Sequence, residues 1–147
     1  MPDGDDLRGE IMESVLRFIA GVVVHNTAVA QRVGMGASDL QFVSLLNLNG
    51  PLTPGQLAEQ TGLTTGTVTG VIDRLEKGGF VHRVRDAGDR RKVLVTPVPE
   101  GMAKLTQEYA AHGEHTMAVM ASRSAEELRV IAEFLADLNA SPGRPPR

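Results

Sequence analysis

The chain has 147 residues, enough for one domain or for one small domain with an appended element. It has no Cys, which excludes disulfides, thiolate metal sites and cysteine redox sensing. The longest apolar run near the start, Phe18 to Val24, is too short to span a bilayer, and the acidic opening MPDGDDLRGE lacks the basic stretch of a signal peptide, so a cytoplasmic protein with no membrane partner is expected.

Leu7 to Val33 reads as one long helix. Leu7, Ile11, Val15, Phe18, Val22 and Val29 recur at helical spacing, and Met12, Leu16, Ile19 and Val23 widen the apolar stripe past half the circumference. At about 1.5 Å per residue such a helix reaches roughly 40 Å. A face that wide on a helix that long predicts burial against another chain. Gly34-Met35-Gly36 breaks the helix. Ser38 with Gln41 then reads as a capping box, followed by the stripe Leu40, Val43, Leu46 and a stop at Asn49-Gly50-Pro51.

Thr53-Pro54-Gly55-Gln56 is a start signal: a Thr cap, Pro at the first helical position, and Gln reaching back. It opens a short helix, Pro54 to Gln60. Thr61-Gly62-Leu63 makes a tight turn, and Thr64 caps the next helix, whose buried face is Val68, Val71, Ile72 and Leu75. Two helices joined through a short Gly-containing turn form a helix-turn-helix. After Gly78-Gly79, Phe80 to Arg85 alternates apolar and polar, Asp86 to Asp89 turns, and Lys92 to Thr96 returns as a second strand. Pro97-Val98-Pro99 ends it. Glu100 to Met120 is helical, and Ser124 with Glu127 caps a last helix reaching Asn139. The closing SPGRPPR has no periodicity and is expected to be disordered.

The net charge of −3 argues weakly against a nucleic-acid partner, but its distribution reverses that reading. Between Asp73 and Lys92 stand seven basic and four acidic residues, a local +3 on a body of −6. B-DNA's major groove admits one helix, whose first turns reach base edges. Those turns here carry Thr65, Thr67 and Thr69, whose hydroxyls donate or accept. Gly66 and Gly70 stand beside them, each costing on the order of 1 kcal/mol in a helix against Ala. That cost on an exposed face suggests close backbone approach to the groove. The hairpin adds charge: Arg83 and Arg85 lie on one strand face, suited to phosphates, and Arg90 and Arg91 edge the turn, suited to a narrow minor groove. Asp89 is expected to hold Arg90 or a turn amide by a charge-assisted hydrogen bond.

The stretch Leu52 to Gly101 resembles the MarR family of bacterial transcriptional regulators, winged helix-turn-helix proteins. The family's wing pattern stands here as Asp86, Asp89, Arg90 and Arg91, and its recognition-helix pattern as Ile72 to Gly79. The long first helix and the two closing helices agree, so the resemblance covers nearly all the chain. It implies a fold that is mainly α with a small antiparallel β-hairpin. A winged helix-turn-helix lobe at 37–97 is joined to a discontinuous helical dimerisation region at 1–36 and 98–141, with a disordered tail at 142–147. It further implies a homodimeric repressor, not an enzyme, that binds double-stranded DNA at a palindromic operator and is released by a small aromatic or anionic effector. The DNA-binding set is then Thr64, Thr65, Thr67, Thr69, Arg74, Arg83, Arg85, Asp89, Arg90 and Arg91. His25, on the first helix near the pocket the family uses, is a candidate ligand contact. Two departures stand out. Gly70 occupies a position where the family often has Arg, and Pro97-Val98 replaces the usual Leu-Thr, removing the cap of the following helix and making its start irregular.

No cofactor is expected, since phosphate-binding Gly loops, nucleophile elbows and metal-protease motifs are all missing from the sequence. His112 and His115 have metal-compatible spacing, but no Cys or clustered carboxylate completes a site, so no metal is expected. The alternative function is a winged-helix protein-interaction module without DNA affinity, whose wing would be acidic or apolar; the four wing arginines argue against it.

Overall fold

Asp3, three residues into the chain, sets the start of the first helix. Its Oδ1 accepts the amides of Asp5 and Asp6 at 2.6 and 3.4 Å, so α1 runs Gly4–Val33, beginning before the expected Leu7. The structure is a computed structural model that describes residues 3–140. The proposed disordered tail, 142–147, lies outside the described residues. Contacts divide the chain into two compact units, Met1–Gln107 and Glu108–Arg147.

In the first unit α1 is followed by α2 (Ala37–Asn49), α3 (Pro54–Thr61), α4 (Thr65–Lys77), β1 (Val81–Arg85), β2 (Val93–Pro97) and the start of α5 (Pro99–Ala121). The second unit holds the rest of α5 and α6 (Ala125–Asn139). The strands pair antiparallel, with Val84 opposite Leu94 and Arg85 opposite Val93. A third, single-residue rung is added by Leu52, which exchanges both backbone hydrogen bonds with Val95, at 3.2 and 2.7 Å. The sequence carried no sign of it, because one residue between Pro51 and Thr53 has no period to read.

Two caps match the sequence expectation in full. At α3, Thr53 Oγ1 accepts from Gln56 N while Gln56 Oε1 accepts from Thr53 N. At α6, Ser124 and Glu127 form the same reciprocal pair. The expected box at Ser38 and Gln41 is corrected. α2 starts two residues earlier than that box requires, at Ala37, with Gly36 as its cap residue and no side-chain cap bond. Ser38 is already helical there, and the acidic side chain that faces the positive helix end is Asp39. The start of α5 is more regular than its missing Thr cap suggested. Pro99 takes the first helical position, where no amide is needed, and Met102 N donates to Val98 O at 2.9 Å.

The core of the first unit is made where α2, α3, α4 and the hairpin meet. Phe42, Leu46, Leu57, Val68, Val71, Ile72, Leu75, Val81 and Val95 are all fully buried. Each deleted core side chain of this kind typically costs about 2–5 kcal/mol. Gly101 in the first turn of α5 lies against the α4–β1 turn. A Cβ there would stand 2.5 Å from Gly79 O and 2.9 Å from Phe80 Cα, so only Gly permits the approach. The apolar stripe of α1 behaves differently. Val29 and Ala30 are buried, but Leu16, Phe18, Ile19 and Val24 are exposed, Phe18 to 72%. No residue of α6 is buried, and Val130, Ile131, Phe134, Leu135 and Leu138 are all accessible.

Candidate nucleic-acid interface

The helix-turn-helix is built as the spacing of its caps requires. α3 ends on Gly62, in the left-handed conformation at φ 70°, and the chain re-enters helix within three residues through the Thr64 cap. Thr64 Oγ1 accepts from Thr67 N at 3.3 Å and shares a hydrogen bond with Thr67 Oγ1 at 2.9 Å. Val68, Val71, Ile72 and Leu75 fasten one face of α4 to the core. The opposite face carries Thr65, Gly66, Thr67 and Thr69, all exposed, and half-buried Gly70. The hydroxyls are not equally available. Thr69 Oγ1 donates to Thr65 O at 2.9 Å, and Thr67 is engaged with Thr64, whereas Thr65 makes no side-chain hydrogen bond among the described residues. A Cβ at Gly66 would meet nothing within 4 Å, and one at Gly70 only the tip of Arg74. Neither glycine is required by packing among the described residues.

The basic residues separate into two groups. Arg74 and Arg83 are held by carboxylates. Arg74 Nε and Nη2 donate to Asp39 Oδ2 and Oδ1 at 3.2 and 2.8 Å, a two-pronged bond that raises the guanidinium pKa. Asp39 is buried, and Arg74 remains more than half exposed. Arg83 Nη2 donates to Asp73, its Nη1 donates to Glu76 Oε1 at 2.8 Å, and its backbone N donates to Glu76 Oε2 at 2.9 Å. The bond to Asp73 is the main cause of the raised Arg83 pKa. The backbone amide of Arg83, ahead of its side chain, holds the Glu76 carboxyl below the ordinary glutamate range. Arg83 therefore ties β1 to α4.

Arg85, Arg90, Arg91 and Lys92 form the second group. All four are exposed, and none makes an ion pair among the described residues. The loop that presents them is tied internally. Arg91 N donates to Asp89 Oδ1 at 3.0 Å, Lys92 N to Asp89 O at 2.9 Å, and Asp86 N to Lys92 O at 3.0 Å. Asp89 thus holds a wing amide, as its place in the sequence suggested. Arg85 Nη1 donates to Arg90 O at 3.2 Å, linking strand to tip. Asp39, Asp73, Glu76 and Lys92 are members of this constellation that sequence reasoning left out. Lys92 was visible in the charge run. Asp39 carried no local sign, since its partner lies 35 positions away.

A groove in the first unit, about 490 Å³, lies between the C-terminal half of α1, α2 and the end of α3. Val23, Leu40, Leu45 and Leu48 supply its apolar wall, and Asn26, Gln41 and Gln60 its amides. His25, the candidate ligand contact, is half-buried but does not line it; Asn26 and Thr27 do.

A recognition helix with an exposed Thr/Gly face beside an arginine-tipped hairpin is the architecture of a winged helix-turn-helix nucleic-acid reader. The model of the MarR family matches residues 37–93, the lobe just described. The chain is 38% identical over 113 residues to the uncharacterised HTH-type transcriptional regulator YcgE of Bacillus subtilis, covering 77% of this chain and 73% of that one. It is 35% identical over 109 residues to the HTH-type transcriptional repressor YetL of the same organism, covering 71% and 65%. A MarR family protein from Bacillus stearothermophilus has the same fold, with a TM-score of 0.67 at 22% identity over 93% of this chain and 96% of that one. The protein belongs to the MarR family, a family of transcriptional regulators. No helix among the described residues is long and apolar enough to cross a membrane.

Proposed function

We propose that the protein is a homodimeric repressor that binds a palindromic DNA operator and leaves it when a small molecule binds. The observation that carries the DNA-binding part is the pairing of an exposed Thr65–Thr69 face on α4 with a wing whose Arg90 and Arg91 have no carboxylate partner among the described residues. Thr64, Thr65, Thr67 and Thr69 would meet bases and the nearest phosphates, Arg90 the minor groove, and Arg85, Arg91 and Lys92 the backbone. Arg74 and Arg83 would act chiefly by fixing the reading helix and the wing. The repressor assignment is favoured by the likeness to YetL.

The dimeric reading, with its dimerisation region at 1–36 and 98–141, is supported by the exposed apolar faces of α1 and α6. Such faces are large for a monomer surface and suited to a two-fold interface. Release by an effector is supported by the groove against α2, because α2 also carries the Asp39 that grips the recognition helix. Selection of bound sequences from random DNA, followed by gel-shift titration and light scattering, tests the reading. A two-fold symmetric consensus bound by a dimer is expected; a folded protein that enriches no sequence would overturn it.

A further inference from the structure

We infer that the recognition helix selects thymine, by packing the methyls of Thr67 and Thr69 against thymine C5 methyls in the major groove, and does not select guanine. The inference rests on the reading of the chain as an operator-binding regulator, and it concerns which base that site prefers. Each base shows the major groove a different edge, and each edge needs its own kind of side chain. Guanine offers two acceptors, matched by the donors of Arg or Lys. Adenine offers a donor and an acceptor, matched by Asn or Gln, and cytosine offers a donor, matched by Asp or Glu. The run Thr65 to Gly70 contains none of these six residue types. The next charged side chains along α4 are Asp73 and Arg74, and both are engaged. Asp73 accepts from Arg83 Nη2, and Arg74 gives its Nε and Nη2 to Asp39.

The hydroxyls narrow the choice further. Thr69 Oγ1 donates its only proton to Thr65 O at 2.9 Å, and Thr67 Oγ1 shares a hydrogen bond with Thr64 Oγ1 at 2.9 Å. Thr67 and Thr69 are nonetheless exposed. A Thr whose hydroxyl is committed to its own chain has its methyl left to offer. Thymine is the base that presents a methyl in this groove, and methyl-to-methyl contact takes apolar surface of both partners out of water. So short a side chain reaches a base only if the helix backbone comes close. Gly66 and Gly70 allow that approach: a Cβ at Gly66 would meet nothing within 4 Å, and one at Gly70 only Arg74 Nη1 at 3.7 Å. Thr65 makes no side-chain hydrogen bond among the described residues, but a hydroxyl that both donates and accepts discriminates little between bases.

The test uses the full-length protein and a site selected from random DNA. Each thymine of that site is replaced in turn by deoxyuridine, which deletes the C5 methyl and keeps every hydrogen-bonding group. Affinity is followed by fluorescence anisotropy. At the contacted positions it should fall about four-fold, the effect of one buried methyl. Thr67→Ser and Thr69→Ser delete the protein's methyl and keep the hydroxyl. Each should abolish the preference for thymine over deoxyuridine at the position its own methyl contacts. Deoxyuridine tolerated at every position would overturn the inference, as would a thymine preference that survives intact in both serine variants. So would a site that depends on guanine, seen as a loss of binding with 7-deazaguanine that Arg74→Ala abolishes. The same selection keeps the two readings apart. A protein that enriches a sequence yet tolerates deoxyuridine throughout refutes only the methyl contact, whereas a folded protein that enriches no sequence refutes the regulator and the inference together.

Discussion

Asp39, buried in the first turn of α2, receives two hydrogen bonds from the guanidinium of Arg74, in the recognition helix, 35 positions away. The sequence placed Arg74 in the DNA-binding set; the geometry gives it a second task, holding α4 at a fixed angle to α2. The two roles make different predictions. If Arg74 acts through Asp39, Asp39→Ala and Arg74→Ala should weaken operator binding to a similar extent and leave the salt dependence nearly unchanged. If it neutralises a phosphate, only Arg74→Ala should flatten the plot of log affinity against log salt, by about 0.9. The first pattern is expected. Arg74→Lys should not restore full affinity, because an ammonium cannot reproduce the two-pronged bond.

At the wing tip the expectation is the reverse. Arg90 is exposed and makes no ion pair among the described residues, so Arg90→Ala should leave the melting temperature unchanged. Operator affinity should fall by about 1–3 kcal/mol, together with a shallower salt slope. Unaltered affinity in a gel-shift titration would remove the wing from the interface. Asp89→Ala gives a milder version, since Asp89 holds the Arg91 amide and not the groove itself.

Legibility in the sequence followed range. The caps at Thr53, Thr64 and Ser124 involve partners within three residues, and each stands where spacing placed it. The alternation of β1 also placed Arg83 and Arg85 on one face. It did not show that α4 sets Asp73 and Glu76 beside that face, because strand-to-helix pairing is a tertiary event. The same limit hid Asp39 and the Leu52 rung. Ser38 failed for a local reason: Gly36 and Ala37 let the helix begin two residues sooner than the Ser/Gln pattern requires.

Gly101 makes a prediction about how α5 joins the lobe. Gly101→Ala should destabilise the protein by about 1–3 kcal/mol, because its Cβ would meet backbone atoms of Gly79 and Phe80 that cannot rotate away. Chemical denaturation measures this directly. A variant as stable as the parent would mean that the α4–β1 turn yields freely.

Gly66 should behave oppositely. Its Cβ position is open, so Gly66→Ala should stabilise the protein by roughly 0.5–1 kcal/mol through better helix propensity. If the glycine is there for close approach to the groove, the same variant should bind its operator more weakly. A gain in stability with affinity preserved would leave the glycine without a role at the interface. Gly70→Arg places a long cation on that face, where the family often carries one, and should raise affinity and steepen the salt slope.

Acid should loosen the joint between wing and recognition helix. The Glu76 carboxyl is held below its ordinary value of 4.5, first by the Arg83 amide and then by the Arg83 guanidinium. A carboxylate whose pKa falls on folding binds fewer protons in the native state than in the unfolded one. Its contribution is therefore complete above the ordinary value and is lost as pH falls through the lower, folded value. Glu76→Gln removes the titration while keeping an oxygen that accepts from Arg83 N. The parent should be the more stable of the two near neutrality, and the gap in melting temperature should close as pH drops below about 4.5. A gap that persists or widens in acid would show that Glu76 contributes by shape and not by charge.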